Sequence, residues 1–197
     1  MSVGKEIKSL YDEMLKVFSE TSHFISVLND LFVSKGWQPV GGNAVMWDRS
    51  NHYAYPRFWM PYFQQRIFTL GPDSRHAVGI NILFDEPYGD ISNTIPFISC
   101  VCITMEDGQP LGKSDEIYGA GWDSDAMLDK DFSKIYKSYY PGRMTLVNYF
   151  LPFDIITNQE SVTAYILQPL VQMYEGEIGE AYEAIEGVCL TKEELSA

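Results

Sequence analysis

The first 36 residues carry apolar side chains at spacings of three, four and seven, which is typical of one face of a helix. The face consists of Ile7, Leu10, Tyr11, Met14, Phe18, Ile25, Leu28 and Phe32. We therefore predict a helix over 4–35, closed by Gly36 in a left-handed C-cap. In its second half Phe24, Val27, Leu31 and Val33 widen the apolar surface. That half must be covered on more than one side, either by the rest of the domain or by a second copy of the chain.

Shorter alternating patterns follow and predict β-strands over 43–48, 65–70, 76–84, 96–105 and 144–153. In the third of these, Val78, Ile80, Ile82 and Phe84 fall on one face. In the fourth, Phe97, Val101, Ile103 and Met105 fall on one face, and Ile98, Cys100 and Cys102 on the other. The last strand is apolar on both faces apart from Asn148, so we expect it to be central or covered on both sides.

The remaining segments predict loops and helices. Residues 106–125 lack either periodicity and predict a long loop, and a helix should follow over 126–139, ended by Pro141 and Gly142. Capping patterns at 157–160 and 191–194 predict two further helix starts. Pro169 should kink or end the first of these helices, and 178–185 predict a final amphipathic helix.

Together these elements predict a single α+β domain over 1–197. Its parts are a long N-terminal helix (1–36), a mainly antiparallel sheet of about five strands (40–155) and C-terminal helices (157–197). The connections are mostly short and turn-like, which favours antiparallel pairing over βαβ units.

Composition excludes several classes of protein. The apolar fraction is 46%, as in globular proteins, and no stretch approaches the apolar length of a membrane span. The N-terminus is charged where a secretion signal would be apolar. Three cysteines, an odd number, indicate reduced thiols. We therefore predict a cytoplasmic protein with no membrane contact and no cofactor.

The net charge of −13 is concentrated after residue 84. Residues 1–84 hold eight Lys/Arg and seven Asp/Glu, whereas residues 85–197 hold six and twenty. This acidity disfavours nucleic-acid binding and is explained either by solubility or by a basic protein partner. For a partner, the predicted contact is the acidic loop, with these residues: Asp115, Glu116, Trp122, Asp123 and Asp125.

An aromatic segment interleaved with arginines is the second candidate surface. Four of the five arginines are Arg49, Arg57, Arg66 and Arg75. Guanidinium groups and rings can bind an anionic or planar ligand, but the same residues could pair with acids and fill the core. The candidate ligand-binding set comprises His52, Tyr55, Arg57, Trp59, Arg66, Asp85 and Glu86.

No catalytic or metal-binding motif is present. The segment starting at Asp123 fails as a calcium loop, because Leu128 and Lys134 occupy positions that need glycine and glutamate. The three histidines and three cysteines lack zinc-ligand spacing. We therefore predict no catalytic residues and no metal site.

Three functions remain open. The first is a non-enzymatic interaction module that binds a basic protein, in the general manner of immunity proteins, inhibitors or secretion chaperones. The second is a ligand-binding protein or enzyme that uses residues 49–75 with Asp85 or Glu86. The third is a structural subunit, with homodimerisation through the N-terminal helix.

Overall fold

The computed structural model describes residues 3–41, 63–71, 75–84, 95–106, 111 and 126–196. The helices are α1 (Val3–Ser34), α2 (Gln159–Val162), α3 (Gln168–Glu175), α4 (Ile178–Ile185) and α5 (Lys192–Ser196). The strands are β1 (Gln38–Pro39), β2 (Phe63–Thr69), β3 (His76–Leu83), β4 (Phe97–Met105), β5 (Ala126–Met127), β6 (Tyr136–Tyr140) and β7 (Met144–Pro152). The α+β fold predicted from the sequence is confirmed.

All strand pairs of the sheet are antiparallel, in the order β1-β2-β3-β4-β7-β6-β5. The described residues therefore form seven strands, more than the five or so predicted. Two of them, β1 and β5, contain only two residues each, which is too short for an alternating pattern to reveal. The predicted strand over 43–48 lies outside the described residues.

One face of the sheet packs against α1 to α4. Its side chains, among them Val78, Ile80, Ile98 and Cys100, join the second half of α1 and the segment from α2 to α4 in one buried cluster. Phe32 of α1 stacks on Phe68 with ring centroids 4.3 Å apart. The predicted division of β3 and β4 into two faces is thus confirmed.

The opposite face of the sheet is also buried, and its apolar residues form two separate clusters. One cluster includes Phe63, Leu83, Phe97 and Phe150, and the other includes Ile67, Ala77, Val101 and Leu146. On each of the five longer strands a buried polar residue lies between them. We call this row the polar band, and it comprises Gln65, Asn81, Ser99, Asn148 and Ser138.

The predicted helix over 126–139 is wrong. This part of the chain contains β5, a short 3-10 helix (Lys130–Phe132) and β6. Pro141 and Gly142 do not end a helix but turn the chain between β6 and β7, with the N–H of Arg143 donating to the carbonyl of Tyr140. Gly142 has φ 69°, and Pro followed by a glycine with positive φ is the usual sequence of a type II turn.

Pro169 is accommodated without ending the helical segment. The turn before it widens to a π-helix over Thr163–Leu167, and α3 continues to Glu175. Proline lacks the N–H that would bond to the carbonyl of Tyr165 in an α-helix. The buried hydroxyl of Tyr149 donates to that carbonyl instead, at 2.8 Å.

The two predicted capping sites are both used, one of them shifted by a residue. Asn158, instead of Thr157, caps α2 and exchanges hydrogen bonds with Ser161. At α5 the predicted pair is confirmed: Glu194 accepts from the N–H of Thr191, and Thr191 accepts from the N–H of Glu194. The backbone N–H of Thr191 holds the pKa of Glu194 below its usual value.

Replacement of Gly79 by alanine should destabilise the sheet. A Cβ at this position would lie 2.6 Å from the backbone oxygen of Arg66 on β2, so two paired strands would have to separate. We expect the free energy of unfolding to fall by about 1–3 kcal/mol.

The matched control is Gly179→Ala on α4, where an added Cβ meets nothing within 4 Å. Alanine is the better helix former, so this variant should keep or raise stability by up to about 1 kcal/mol. Urea denaturation of both variants measures the difference, and equal effects would contradict the close approach of β2 and β3.

Candidate functional site

The first half of α1 exposes a continuous apolar surface. We define residues 3–17 as the arm. Its large apolar side chains are 44–70% exposed, and they are Val3, Ile7, Leu10, Tyr11, Leu15 and Val17. Exposed apolar patches of this kind typically mark sites of protein or membrane interaction. The arm is therefore the clearest candidate interaction surface among the described residues.

The arm is continuous with the part of α1 that is docked on the core. Val3, Ile7, Leu10, Met14 and Val17 recur at alternating spacings of four and three, and Thr21, Phe24 and Leu28 continue the same series. Residues in such a series share one helical face. The last three are buried. One apolar face is thus covered in its second half and bare in its first.

The boundary between the halves lies near Phe18. Its ring packs edge-on against Phe84, which follows β3, with centroids 6.0 Å apart. The predicted helix over 4–35 and its glycine cap are confirmed, since α1 ends at Ser34 and Gly36 has φ 87°. Cover on more than one side is expected for the second half of the helix, where Phe24 is buried, Val27 and Leu31 are half-buried and Val33 is exposed.

Acidic side chains follow one edge of the arm. Glu6, Glu13 and Glu20 recur at seven-residue spacing, so they lie in a row beside the apolar face. Lys16 lies 3.7 Å from Glu20 and Lys8 pairs with Asp12. Within the described part of α1, neither Glu6 nor Glu13 forms an ion pair.

Of the predicted ligand-binding residues, the structure describes Arg66. It is buried on the helix-facing side of β2, where it donates to the side-chain oxygen of Asn29 at 2.5 Å. Its guanidinium carbon lies 5.7 Å from the centre of the Phe68 ring, and burial lowers the pKa of Arg66. These contacts tie β2 to α1, and the ligand-binding role of Arg66 stays a prediction.

The other predicted site residues lie outside the described residues. They are His52, Tyr55, Arg57, Trp59, Asp85 and Glu86 for a ligand, and Asp115, Glu116, Trp122, Asp123 and Asp125 for a partner. Neither set is placed relative to Arg66 or to the arm, so both stay predictions.

A groove of about 510 Å³ lies between the end of α1 and the π-helix with α3. Lys35, Trp37, Gln172 and Glu175 contribute to its walls. The side chain of Gln172 donates to Glu180 at 3.2 Å. Charged groups of both signs at its rim give the groove no preference for one class of ligand.

The three cysteines are poor nucleophiles in this fold. Burial raises the pKa of Cys100, Cys102 and Cys189, the last to about 12. The reactive form of cysteine is the thiolate, so these side chains remain protonated near neutral pH. In the described part of the chain no three His, Cys, Asp or Glu side chains are grouped as metal ligands, and no helix is long and apolar enough to cross a membrane.

The sequence patterns name the N-terminal helix as a possible interface but do not single out its bare half, and they do not identify the polar band as a site. The periodicity of α1 marks its apolar face but not which half is covered, since coverage depends on where the sheet ends. For the band the available signal was Asn148, the one polar residue within an otherwise apolar strand.

Two matched substitutions separate the halves of α1. Leu28 is fully buried whereas Leu10 is 62% exposed, and both belong to the same apolar face. Leu28→Ala should lower the free energy of unfolding by about 2–5 kcal/mol. Leu10→Ala should change it by less than about 0.5 kcal/mol. Thermal and urea unfolding of both variants provide the test, and a large loss for Leu10→Ala would show that the arm is covered.

Comparisons with known proteins place no constraint on the function. No protein-family model, curated protein or solved structure matches the chain.

Proposed function

We propose that the chain is a non-enzymatic protein-interaction module that binds a basic protein partner through the arm of α1. The observation that carries the proposal is the bare apolar face of residues 3–17, which continues the face docked on the core. The partner is a protein that presents an amphipathic helix whose apolar seam is bordered by Lys or Arg.

The geometry of the arm supports a helix as the partner element. Its apolar residues alternate at spacings of four and three, the pattern by which one helix packs along another. A helix laid against this face would cover Ile7, Leu10 and Val17 together. Helix-in-groove recognition reads apolar anchors at these spacings, so an amphipathic helix matches the arm better than an extended strand does.

The glutamate row beside the apolar face and the net charge of the whole chain support a basic partner, while residues 3–17 taken together hold three lysines and three acidic residues. Glu6 and Glu13 border the apolar face, and the whole chain carries −13. Lysine or arginine beside the seam of the partner helix would lie opposite these carboxylates. Charge complementarity of this kind speeds association and suppresses wrong partners.

The same charges oppose pairing between copies. A second copy brings the same glutamate edge and another −13, so repulsion accompanies any burial of the arm in a homodimer. The predicted homodimer is therefore the weaker occupant of this face. The ligand-binding and structural-subunit hypotheses stay predictions.

The proposal is tested with two designed peptides that form amphipathic helices with the same leucine seam. In one peptide the seam is bordered by lysines, and in the other by glutamates. The chain should bind the lysine peptide, less tightly as salt rises because salt screens the charges. Ile7→Ser/Leu10→Ser should weaken binding roughly a hundredfold, since it removes two apolar side chains worth about 1.5 kcal/mol or more each. Isothermal calorimetry measures both affinities.

The matched control is Lys5→Ser/Asp12→Ser, which alters the polar side of the same helix and keeps the net charge. It should bind the lysine peptide like the wild type. Equal affinity for both peptides, or none for either, would contradict the proposal. A dimer in sedimentation that Ile7→Ser/Leu10→Ser dissociates would assign the arm to a second copy instead.

A further inference from the structure

The polar band provides a second candidate site that is independent of the arm. It crosses the sheet face opposite to the one on which α1 to α4 pack, and of the described helices α5 lies against this face through Leu195. Each of the five strands β2, β3, β4, β7 and β6 places one buried polar residue between the two apolar clusters. A core face needs only apolar residues for packing, and buried polar groups are costly unless they are paired.

The end of the band at β6 and β7 contains unpaired polar atoms. Asn148 is 0% exposed. Among the residues that the structure describes, none hydrogen-bonds to either the oxygen or the nitrogen of its amide. The buried hydroxyl of Ser138 on β6 is unpaired in the same way. Because buried polar side chains in native proteins nearly always have partners, these atoms are candidates for hydrogen bonds to a bound molecule.

Asn148 and Ser138 are close enough to share one small molecule. Asn148 pairs in register with Tyr136, and Ser138 pairs with Leu146. The two polar residues are therefore diagonal neighbours on adjacent strands, about 7–8 Å apart. Both side chains point to the same face of the sheet. A ligand a few atoms across can bridge them.

We propose that Asn148 and Ser138 bind a small neutral molecule that presents a hydrogen-bond donor beside an acceptor, as in a lactam or another cyclic amide. The amide of Asn148 supplies the complementary acceptor and donor side by side. The hydroxyl of Ser138 adds one further donor or acceptor.

The surroundings of the site favour a neutral and partly apolar ligand. The described strands place no charged side chain on this sheet face, and Lys192 of α5 is engaged with the Tyr136 ring, its Nζ 5.5 Å from the ring centre. A charged ligand beside Asn148 would lack a counter-ion on the strands. Tyr136 and Phe150 border Asn148 on one side, and Leu146 borders it on the other. The hydroxyl of Tyr136 accepts from the N–H of Lys192 at 3.1 Å, so this hydroxyl is engaged with α5 and does not compete for the amide edge of Asn148.

The test compares two small probes, 2-pyridone and N-methyl-2-pyridone. They have the same ring and carbonyl, but only 2-pyridone carries an N–H donor. In the wild-type protein 2-pyridone should shift the side-chain amide signal of Asn148 in NMR spectra. N-methyl-2-pyridone should bind at least about tenfold more weakly, because one hydrogen bond to the buried amide is lost.

Asn148→Leu should abolish binding of 2-pyridone, and it should melt no lower than the wild type, because leucine removes the unpaired amide. Ser138→Ala is a smaller change. This variant should fold like the wild type and should bind 2-pyridone more weakly than the wild type does. The control Gln38→Leu removes an exposed amide on β1 and should bind normally.

Two results would overturn the assignment. One is an Asn148 signal that does not move with 2-pyridone and shows contacts to water alone, which would make the band a site for ordered water. The other is equal binding by the wild type and Asn148→Leu, which would place the probe elsewhere.

Discussion

Burial of both faces of the sheet is the constraint on which the rest of the structure depends. β3, β4 and β7 lie in the middle of the sheet, and their residues are buried on either side. The helices α1 to α4 pack in one cluster against one face, and Leu195 of α5 packs against the other. The other face holds two apolar clusters, and between them a row of amides and hydroxyls. A row that crosses five strands, with Gln65, Asn81 and Ser99 in direct register and Asn148 and Ser138 as diagonal neighbours, is a feature of the whole sheet and not an isolated buried polar residue.

The same sheet divides α1 into two parts. Phe24, Leu28 and Phe32 contact the sheet and the C-terminal helices, whereas the arm extends past the region they cover. An isolated helix as short as the arm is only marginally stable in water. The docked half of α1 therefore stabilises the helical conformation of the arm. Burial of the bare face would add both contact area and helix stability, so the proposed binding of a partner helix needs no preformed cavity.

Much of the fold could be predicted because local patterns match local burial. One example is the alternation of Val78, Ile80 and Ile82, which marks a face of β3 that is buried in the structure. Another is the apolar period of α1, whose second half is buried against the sheet. The error at 126–139 has the opposite origin: β6 is defined by its pairing with β7, and Pro141 and Gly142 signal a chain reversal as readily as a helix end.

The sites were harder to predict because they depend on relations between distant elements. The spacing of apolar residues along α1 does not predict that Leu10 is exposed while Leu28 is buried. The sequence pattern also does not predict that Asn148 lies next to Ser138, because their proximity depends on the register between β6 and β7. The sole predicted ligand residue that the structure describes, Arg66, instead contacts Asn29 across α1 and β2.

Hydrogen exchange along α1 tests most directly whether the arm is bare in the free protein. The amides of residues 21–32 should exchange slowly, close to the rate set by global unfolding, because their side chains are docked on the core. Those of residues 5–17 should exchange at least about a hundredfold faster, at the rate of a helix held from one end. Uniform protection along α1 in the free protein would contradict the account, because it would mean that the arm is already covered.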